Sequence, residues 1–137
     1  MDVDERDATS TTQVRSLTIL DFGRGDFDMG YVIAPGDLDG VWRECHFPGF
    51  LVELADGRRV LIDTGPHRHH IEEPMFEFAG SDFANYLKPG MTSEDDPLHR
   101  LAEIGLTSAN IDILVVTHCH FDHCGNVADF SSSEIII

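Results

Sequence analysis

The chain has 137 residues, 25 of them acidic and 9 basic, which gives a formal net charge of −16 at pH 7. This length suits one domain with a substantial core, and the acidic surface argues against nucleic acid or an anionic membrane as a partner, because both bind positive patches. Such acidity also fits a protein kept soluble at high salt, so a halophilic source is one hypothesis and an ordinary acidic cytosolic protein is the other.

The cysteines and the N-terminus indicate the cellular compartment. Cys45, Cys119 and Cys124 are odd in number and lack the spacing of a disulfide framework, which favours a reducing environment. The acidic N-terminus contains no apolar stretch typical of a secretory signal, and no apolar run approaches the length that spans a membrane. We therefore expect a soluble, cytoplasmic protein.

The first forty residues predict a tail, a strand and a loop. Residues 1–13 are polar, acidic and rich in Thr and Ser, a composition that predicts a disordered tail. The imperfect alternation over residues 14–22 predicts the first strand. Residues 23–40 are dense in Gly and Asp and predict a long loop near a pocket, with a short strand at residues 31–33.

A β-hairpin is predicted next. The pair Asp56-Gly57 separates two apolar-rich runs at residues 50–54 and 59–63, and Gly accepts the positive φ that a tight turn needs. Asp63 closes the second run. An acid there suits a hydrogen bond to a metal-bound histidine or to the backbone of a metal loop, and it equally suits a turn in which it accepts from the next two amides.

The region after the hairpin is rich in histidine and aromatic residues. His67, His69 and His70 have no carboxylate between them, so we predict a loop lining the pocket rather than a second metal site. The aromatic side chains of residues 71–86 predict core or pocket wall.

The clearest helix is predicted over residues 93–104. Thr92 with Asp95 forms an approximate capping pair, and Gly105 supplies the C-terminal stop. The buried face would consist of Leu98, Leu101 and Ile104. The apolar run at residues 111–116 follows as a buried strand, and a helix followed by a buried strand indicates an α/β arrangement.

This strand leads directly into a cluster of metal-ligating side chains, namely His118, His120, Asp122 and His123. In an extended segment His118 and His120 point to the same face, and a turn just after the strand would bring the other two round. Imidazole nitrogen and carboxylate oxygen suit zinc, iron or manganese, and four such donors suffice for two neighbouring ions. The alternative is a polar loop of solvated histidines. The position directly after a buried strand favours a metal site.

These four residues match the HxHxDH signature of the metallo-β-lactamase superfamily, and residues 61–65, Leu-Ile-Asp-Thr-Gly, resemble its strand-ending Asp-Thr-Gly. Residues 88–96, 98–104 and 118–126 resemble the N-acyl-homoserine lactonase branch, the quorum-quenching lactonases. The resemblance covers most of the chain from about residue 17 onward, but only the first half of the family's fold.

The resemblance implies an α/β (α+β) fold over residues 14–137: the first half of an αββα sandwich, with a mixed sheet and flanking helices. It also implies two metal ions, expected to be zinc, although iron or manganese would fit the same donors. His118 and His120 would hold the first ion. Asp122 and His123 would hold the second.

Roles for three residues follow from the same resemblance. Asp122 is also the candidate for handling the proton of the leaving alcohol, Asp63 would support the ligands through a hydrogen bond, and Phe121 would form an apolar edge of the substrate pocket. The implied reaction opens the lactone ring of an N-acyl-homoserine lactone with a metal-activated hydroxide. A glyoxalase II-like thioesterase, acting on another ester or thioester, is the alternative enzyme.

The resembled fold continues beyond the residues present here. Its further ligands, two histidines and a bridging aspartate, have no counterpart after His123, so we expect a truncated domain that binds metal weakly and has impaired or no activity alone. One face of the sheet would lack its cover, which invites association through that face. The remaining alternative is a non-catalytic remnant that binds metal loosely or serves as an interaction module.

Overall fold

The computed structural model describes residues 13–137, so the predicted tail lies outside the described residues apart from Gln13. Within them the strands are β1 Val14–Asp28, β2 Trp42–Leu54, β3 Arg59–Ile62, β4 Leu87–Pro89, β5 Ile113–Val115 and β6 Glu134–Ile136. The helices are α1 Met29–Val32, α2 His69–Glu72, α3 Pro97–Glu103 and α4 Phe121–Cys124. Single 3-10 turns lie at Asp82–Asn85, Ser93–Asp95, Ser108–Asn110 and Val127–Phe130.

The strands form one mixed sheet in the order β4-β1-β2-β3-β5-β6. The first four of these strands pair antiparallel, whereas β3 pairs with β5, and β5 with β6, in parallel. The predicted mixed sheet with flanking helices is confirmed. The predicted hairpin is also present: β2 and β3 are antiparallel, and Gly57 in the connecting turn has a φ of 91°.

The first strand is longer than the sequence predicts. Pairing with β2 resumes after an irregularity between Asp21 and Arg24, and β4 adds to the other edge at Gly25, so tertiary pairing overrides the loop-like composition. The predicted short strand at residues 31–33 is wrong. The segment Met29–Val32 forms a helical turn instead, because the buried carboxylate of Asp28 accepts from the amide of Gly30 at 2.8 Å.

The helix predicted over residues 93–104 is divided in two. The capping box between Thr92 and Asp95 is present, but it starts a 3-10 turn that ends before Asp96. Because the residue before a proline is disfavoured in the helical region, Asp96 is extended, and its side chain caps α3 by accepting from the amide of Leu98 at 2.8 Å.

The predicted buried face of this helix is partly wrong. Leu101 is fully buried and Leu98 is half-buried, but Ile104 follows the end of α3 and is 44% exposed. The strand predicted at residues 111–116 is shorter, since β5 covers only Ile113–Val115, although Ile111 and Val116 beside it are buried.

The two faces of the sheet differ. One face packs on the core, which contains Leu20, Phe22, Phe47, Leu51, Leu61, Leu87, Leu101, Leu114 and Phe130. The other face carries two apolar rows. The first crosses five strands and consists of Ile19, Phe50, Ile62, Val115 and Ile136. The second crosses four strands and consists of Leu17, Val52, Val60 and Ile113. Leu17 and Ile19 are 59% and 66% exposed. Within residues 13–137 no helix is long and apolar enough to cross a bilayer.

The contact between β2 and β1 generates a prediction about Gly49. An added Cβ at Gly49 would overlap the ring of Phe22, which is fully buried and has no space into which to turn. We expect Gly49→Ala to lower the free energy of unfolding by about 1–3 kcal/mol, measured by urea denaturation.

Gly90 offers the control, because an added Cβ there meets only the carbonyl oxygen of Arg24 at 3.5 Å, an ordinary van der Waals distance. Gly90→Ala should change the free energy of unfolding by less than about 0.5 kcal/mol. Equal losses in the two variants would contradict the assigned packing of β1 on β2.

Candidate metal centre

The candidate centre is built around Asp63, which follows β3. Because β3 and β5 are parallel neighbours, their carboxyl ends meet at one edge of the sheet and bring Asp63 beside Thr117. Asp63 Oδ1 accepts from the amide of Thr117 at 2.8 Å and from its hydroxyl at 3.0 Å. Asp63 Oδ2 lies 2.8 Å from His123 Nδ1. One buried carboxylate therefore fixes both ends of the histidine cluster.

Asp63 has a φ of 63°, and it is the one non-glycine residue with positive φ in the described part of the chain. Such a conformation costs on the order of 1 kcal/mol or more and persists where surrounding contacts impose it. Of the two sequence alternatives, the contact to the cluster is the one the structure shows, while the amide of Thr64 donates to the carbonyl of His123 at 2.8 Å. The role of Asp63 toward a metal stays a prediction.

Asp63 also determines which nitrogen of His123 is free. A carboxylate only accepts, so Nδ1 of His123 carries the hydrogen that it donates to Asp63. The other nitrogen, Nε2, is left for a different partner. Metal-ligating histidines commonly donate their second ring nitrogen to a carboxylate in this manner.

The first donor pair is His118 and His120. Their facing nitrogens, Nε2 of His118 and Nδ1 of His120, lie 3.1 Å apart. Two imidazole nitrogens on one tetrahedral zinc ion would be about 3.3 Å apart for a Zn–N distance of about 2.05 Å. The spacing therefore fits one shared ion, and it also fits a hydrogen bond between the rings.

The second donor pair is Asp122 and His123, carried by the turn of α4 that the sequence places just after the strand. Asp122 Oδ2 lies 3.3 Å from His123 Nε2, again the spacing of two donors on one ion. The rings of His118 and His123 are 4.0 Å apart, so the two pairs adjoin.

The number of donors limits what these pairs can bind. A catalytic zinc ion usually has three protein ligands, whereas each pair supplies two. Across residues 13–137 no group of three or more His, Cys, Asp or Glu side chains is placed to hold one ion. The donors present fit zinc in type and in pair spacing, and each ion would need a further ligand. The four ligand assignments stay predictions.

Two residues that the sequence reasoning missed close the loop after β3 onto α4. Asn126 is buried, and its side-chain amide donates to the carbonyls of Thr64 and Pro66 at 2.9 and 2.7 Å. The hydroxyl of Thr64 accepts a hydrogen bond from the backbone amide of Asn126 at 3.1 Å. Their sequence signal is their place in two segments that resemble the family, residues 61–65 and 118–126.

A cavity of about 630 Å³ opens beside the donors. Its walls are Phe27, Tyr31, Val32, Cys45, His46, Phe47, Phe78, Phe83, Cys119, His120, Phe121 and Asp122. Phe121 lies in this wall, with its ring 4.9 Å from that of Phe78, and its role toward a substrate stays a prediction. The segment predicted as a loop near the pocket contributes Phe27, Tyr31 and Val32.

The prediction for the three histidines after the hairpin needs correction. None of His67, His69 and His70 lines this cavity, and α2 begins at His69 where a loop was predicted. His70 is fully buried in the core. The spacing of the histidines gave no sign of this, because the rings that cover His70 include the distant Phe121 as well as the nearby Phe76 and Phe78.

Two thiols near the donors lie where the protonated form is favoured. Burial raises the pKa of the Cys45 thiol, and the charges of Asp122 and Asp26 raise it further. Burial also raises the pKa of Cys124, with Cys119 as the next contributor. Both side chains are half-buried beside the candidate donors.

The known proteins that this chain resembles are metal-dependent hydrolases of one superfamily. Residues 49–136 match the model of the metallo-beta-lactamase superfamily. An N-acyl homoserine lactonase from Bacillus cereus is 31% identical over 128 residues, which make up 90% of this chain and 48% of that protein. A probable metallo-hydrolase from Mycobacterium bovis is 29% identical over 96 residues, 70% of this chain and 29% of its own. The chain spans about half the length of the lactonases it matches.

Solved structures show the same fold. An N-acyl homoserine lactone hydrolase, with the product N-hexanoyl-L-homoserine bound at its catalytic metal centre, superimposes with a TM-score of 0.81 at 24% identity, covering 93% of this chain and 49% of that one. A dizinc quorum-quenching lactonase superimposes with a TM-score of 0.54 at 17% identity, covering 90% and 43%. The predicted first half of a metallo-β-lactamase fold is confirmed.

The contacts of Asp63 predict the effect of removing its charge. Asp63→Asn keeps an acceptor for Thr117 but places an amide against the hydrogen on His123 Nδ1. We expect a loss of about 1.5–3 kcal/mol in the free energy of unfolding, measured by urea denaturation. Asp112→Asn is the control, because this exposed acid also accepts from a backbone amide, that of Arg59 at 2.7 Å, and should lose less. Equal losses would refute the central role of Asp63.

The raised pKa of Cys45 predicts slow alkylation. Iodoacetamide reacts with the thiolate, so the pH midpoint for modifying Cys45 should lie higher in the folded chain than in urea, followed by peptide mass spectrometry. Asp122→Asn should lower the midpoint only in part, because burial is the larger cause. A folded midpoint at or below the unfolded one would contradict the assigned environment.

Proposed function

The chain belongs to the metallo-beta-lactamase superfamily, and from that premise we propose that it contributes half of the metal centre of a hydrolase that opens N-acyl-homoserine lactones. The observation that carries the proposal is the arrangement of two adjoining donor pairs at one sheet edge, spaced 3.1 and 3.3 Å, beside an apolar cavity. The lactonase relatives at about 30% identity support the substrate class.

In this proposal His118 and His120 hold one zinc ion, and Asp122 and His123 hold the other. Bound zinc would acidify water near neutral pH and polarise the carbonyl of a substrate. Asp63 keeps the hydrogen of His123 on Nδ1, so that Nε2 presents its lone pair to an ion. Iron or manganese fits the same donors.

The cavity would take the acyl chain. Phe47, Phe78 and Phe121 are packed edge to face in its wall, and burial of each methylene group of a substrate contributes about 0.8 kcal/mol to binding. His120 and Asp122 line the same cavity, so an acyl chain buried there would leave the lactone ring of the substrate beside these two residues.

Asp122 is the proposed proton carrier. Asp122 lines the cavity, so its carboxylate would accept a proton from water and return it to the leaving alcohol oxygen of the opened ring. The carboxylate is therefore shared between holding an ion and moving a proton.

A second candidate follows from the ligand count and the exposed sheet face. With two donors for each ion the chain alone would bind zinc weakly, and its apolar rows, including Leu17 and Ile19, would associate with a partner that covers them. In that case the chain acts as a metal-binding interaction module, and hydrolysis requires the partner to supply the missing ligands.

Zinc binding tests the proposed donors. We expect the 137-residue chain to bind zinc in competition with a chromophoric chelator, and His118→Ala and His123→Ala each to weaken one of two equivalents by on the order of 10–100-fold. His99→Ala is the matched control, because His99 is a half-exposed histidine on α3 away from the centre. Unchanged zinc binding in both site variants would refute the assignment.

Hydrolysis tests the substrate class. The chain alone is expected to open N-hexanoyl-homoserine lactone slowly or not at all, measured by proton release at high protein concentration, because each ion lacks a ligand. Any residual rate should favour the lactone over an acyl thioester and vanish in Asp122→Asn. Faster turnover of the thioester would instead support the glyoxalase II-like alternative.

A further inference from the structure

His70 is a buried polar residue that the proposed chemistry does not use. It is fully buried in α2, and its Nδ1 lies 2.8 Å from the carbonyl oxygen of Pro74. A carbonyl oxygen only accepts, so Nδ1 carries the hydrogen and the plane of the ring is fixed. Among the described residues its Nε2 has no hydrogen-bond partner, and the nearest acid, Glu77, is 3.8 Å away.

Filling space does not by itself explain an imidazole here. Phe or Leu would fill a similar volume without burying an unpaired nitrogen, which costs free energy. The imidazole differs from them in having a donor that locks its orientation through Pro74. A ring held in one orientation can in turn hold a neighbouring side chain in one orientation.

That neighbour is Phe121. The ring of His70 stacks on Phe78 at 5.3 Å with an interplanar angle of 18°, and it meets the ring of Phe121 edge to face at 5.8 Å. Phe78 itself contacts Phe121 at 4.9 Å. His70 therefore reaches Phe121 by two routes, one direct and one through Phe78.

A fixed orientation of the Phe121 ring would also restrict the positions of the neighbouring donors. It begins α4, a helix of four residues whose N-cap residue, His120, makes no side-chain capping hydrogen bond. A single helical turn is unstable by itself, so the packing of the Phe121 ring contributes to where α4 starts, while the contact of His123 with Asp63 holds its other end. The donors His120 and Asp122 are its immediate neighbours in the chain.

We propose that His70 is a positioning residue of the candidate centre: it holds the ring of Phe121 and thereby fixes His120 and Asp122 on either side. The proposal rests on the proposed function in so far as these two residues are metal ligands. Misplacement of such groups by about 1 Å can cost on the order of 100-fold in the chemistry they support.

Three substitutions distinguish the contribution of the His70 ring from that of its Nδ1–H donor. His70→Ala removes both, His70→Asn keeps a donor near Nδ1 without the ring, and His70→Phe keeps a ring without the donor. Leu101→Ala is the matched control, because Leu101 is also fully buried but lies in α3. It should lower thermal stability without disturbing the centre.

The first measurement needs no metal. Ring signals of Phe121 and His120 are followed by NMR in the metal-free 137-residue chain. We expect large shifts in His70→Ala and His70→Asn, smaller but clear shifts in His70→Phe, whose ring lacks the hydrogen bond to Pro74, and no change in Leu101→Ala. Native signals in His70→Ala would overturn the proposal, as would equal shifts in Leu101→Ala.

The second measurement is zinc affinity, by competition with a chelator. His70→Ala should weaken binding by on the order of 10–100-fold, the cost typical of residues that orient ligands. His70→Phe should recover only part of that loss, because its ring is not held by Pro74. Leu101→Ala should bind zinc as the native chain does. If the native chain binds no zinc, the proposed function fails, while the ring signals still decide the role of His70.

Discussion

The carboxylate of Asp63 is the interaction on which the rest of the candidate centre depends. It is buried at the end of β3, where an unpaired charge would be costly, and hydrogen bonds from Thr117 and His123 satisfy it. Those bonds hold the residue in a left-handed conformation that local sterics disfavour. The strain is retained because the same contacts set the start and the end of the histidine cluster.

The sheet supplies the frame for this arrangement. Parallel pairing of β3 with β5 brings residues more than fifty positions apart to one edge, while the long antiparallel pair of β1 and β2 forms the floor of the aromatic cavity. The remaining apolar face of the sheet stays exposed. The chain spans about half the length of its lactonase relatives, and Leu17 and Ile19 on this face are more than half exposed.

Exposure falls from the candidate donors to the interior behind them. His118 and His120 are exposed, Phe121 is half-buried in the cavity wall, and His70 behind it is fully buried. Ligands in exposed positions are commonly oriented by buried residues of this kind, which is the role proposed for His70. The absence of a third donor for each ion sets the limit of what the described residues can bind by themselves.

The sequence alone determined the features that depend on near neighbours. The donor cluster, the Asp-Gly turn and the capping pair of Thr92 and Asp95 were readable because the atoms concerned lie within a few residues of one another. The family resemblance fixed the fold class, whereas the cytoplasmic location and the high-salt source stay predictions. Only the tertiary structure decided that β1 runs through a glycine-rich segment, that Asp63 faces His123, and that His70 is buried. Each of these outcomes depends on contacts between distant parts of the chain, and local composition does not encode such contacts.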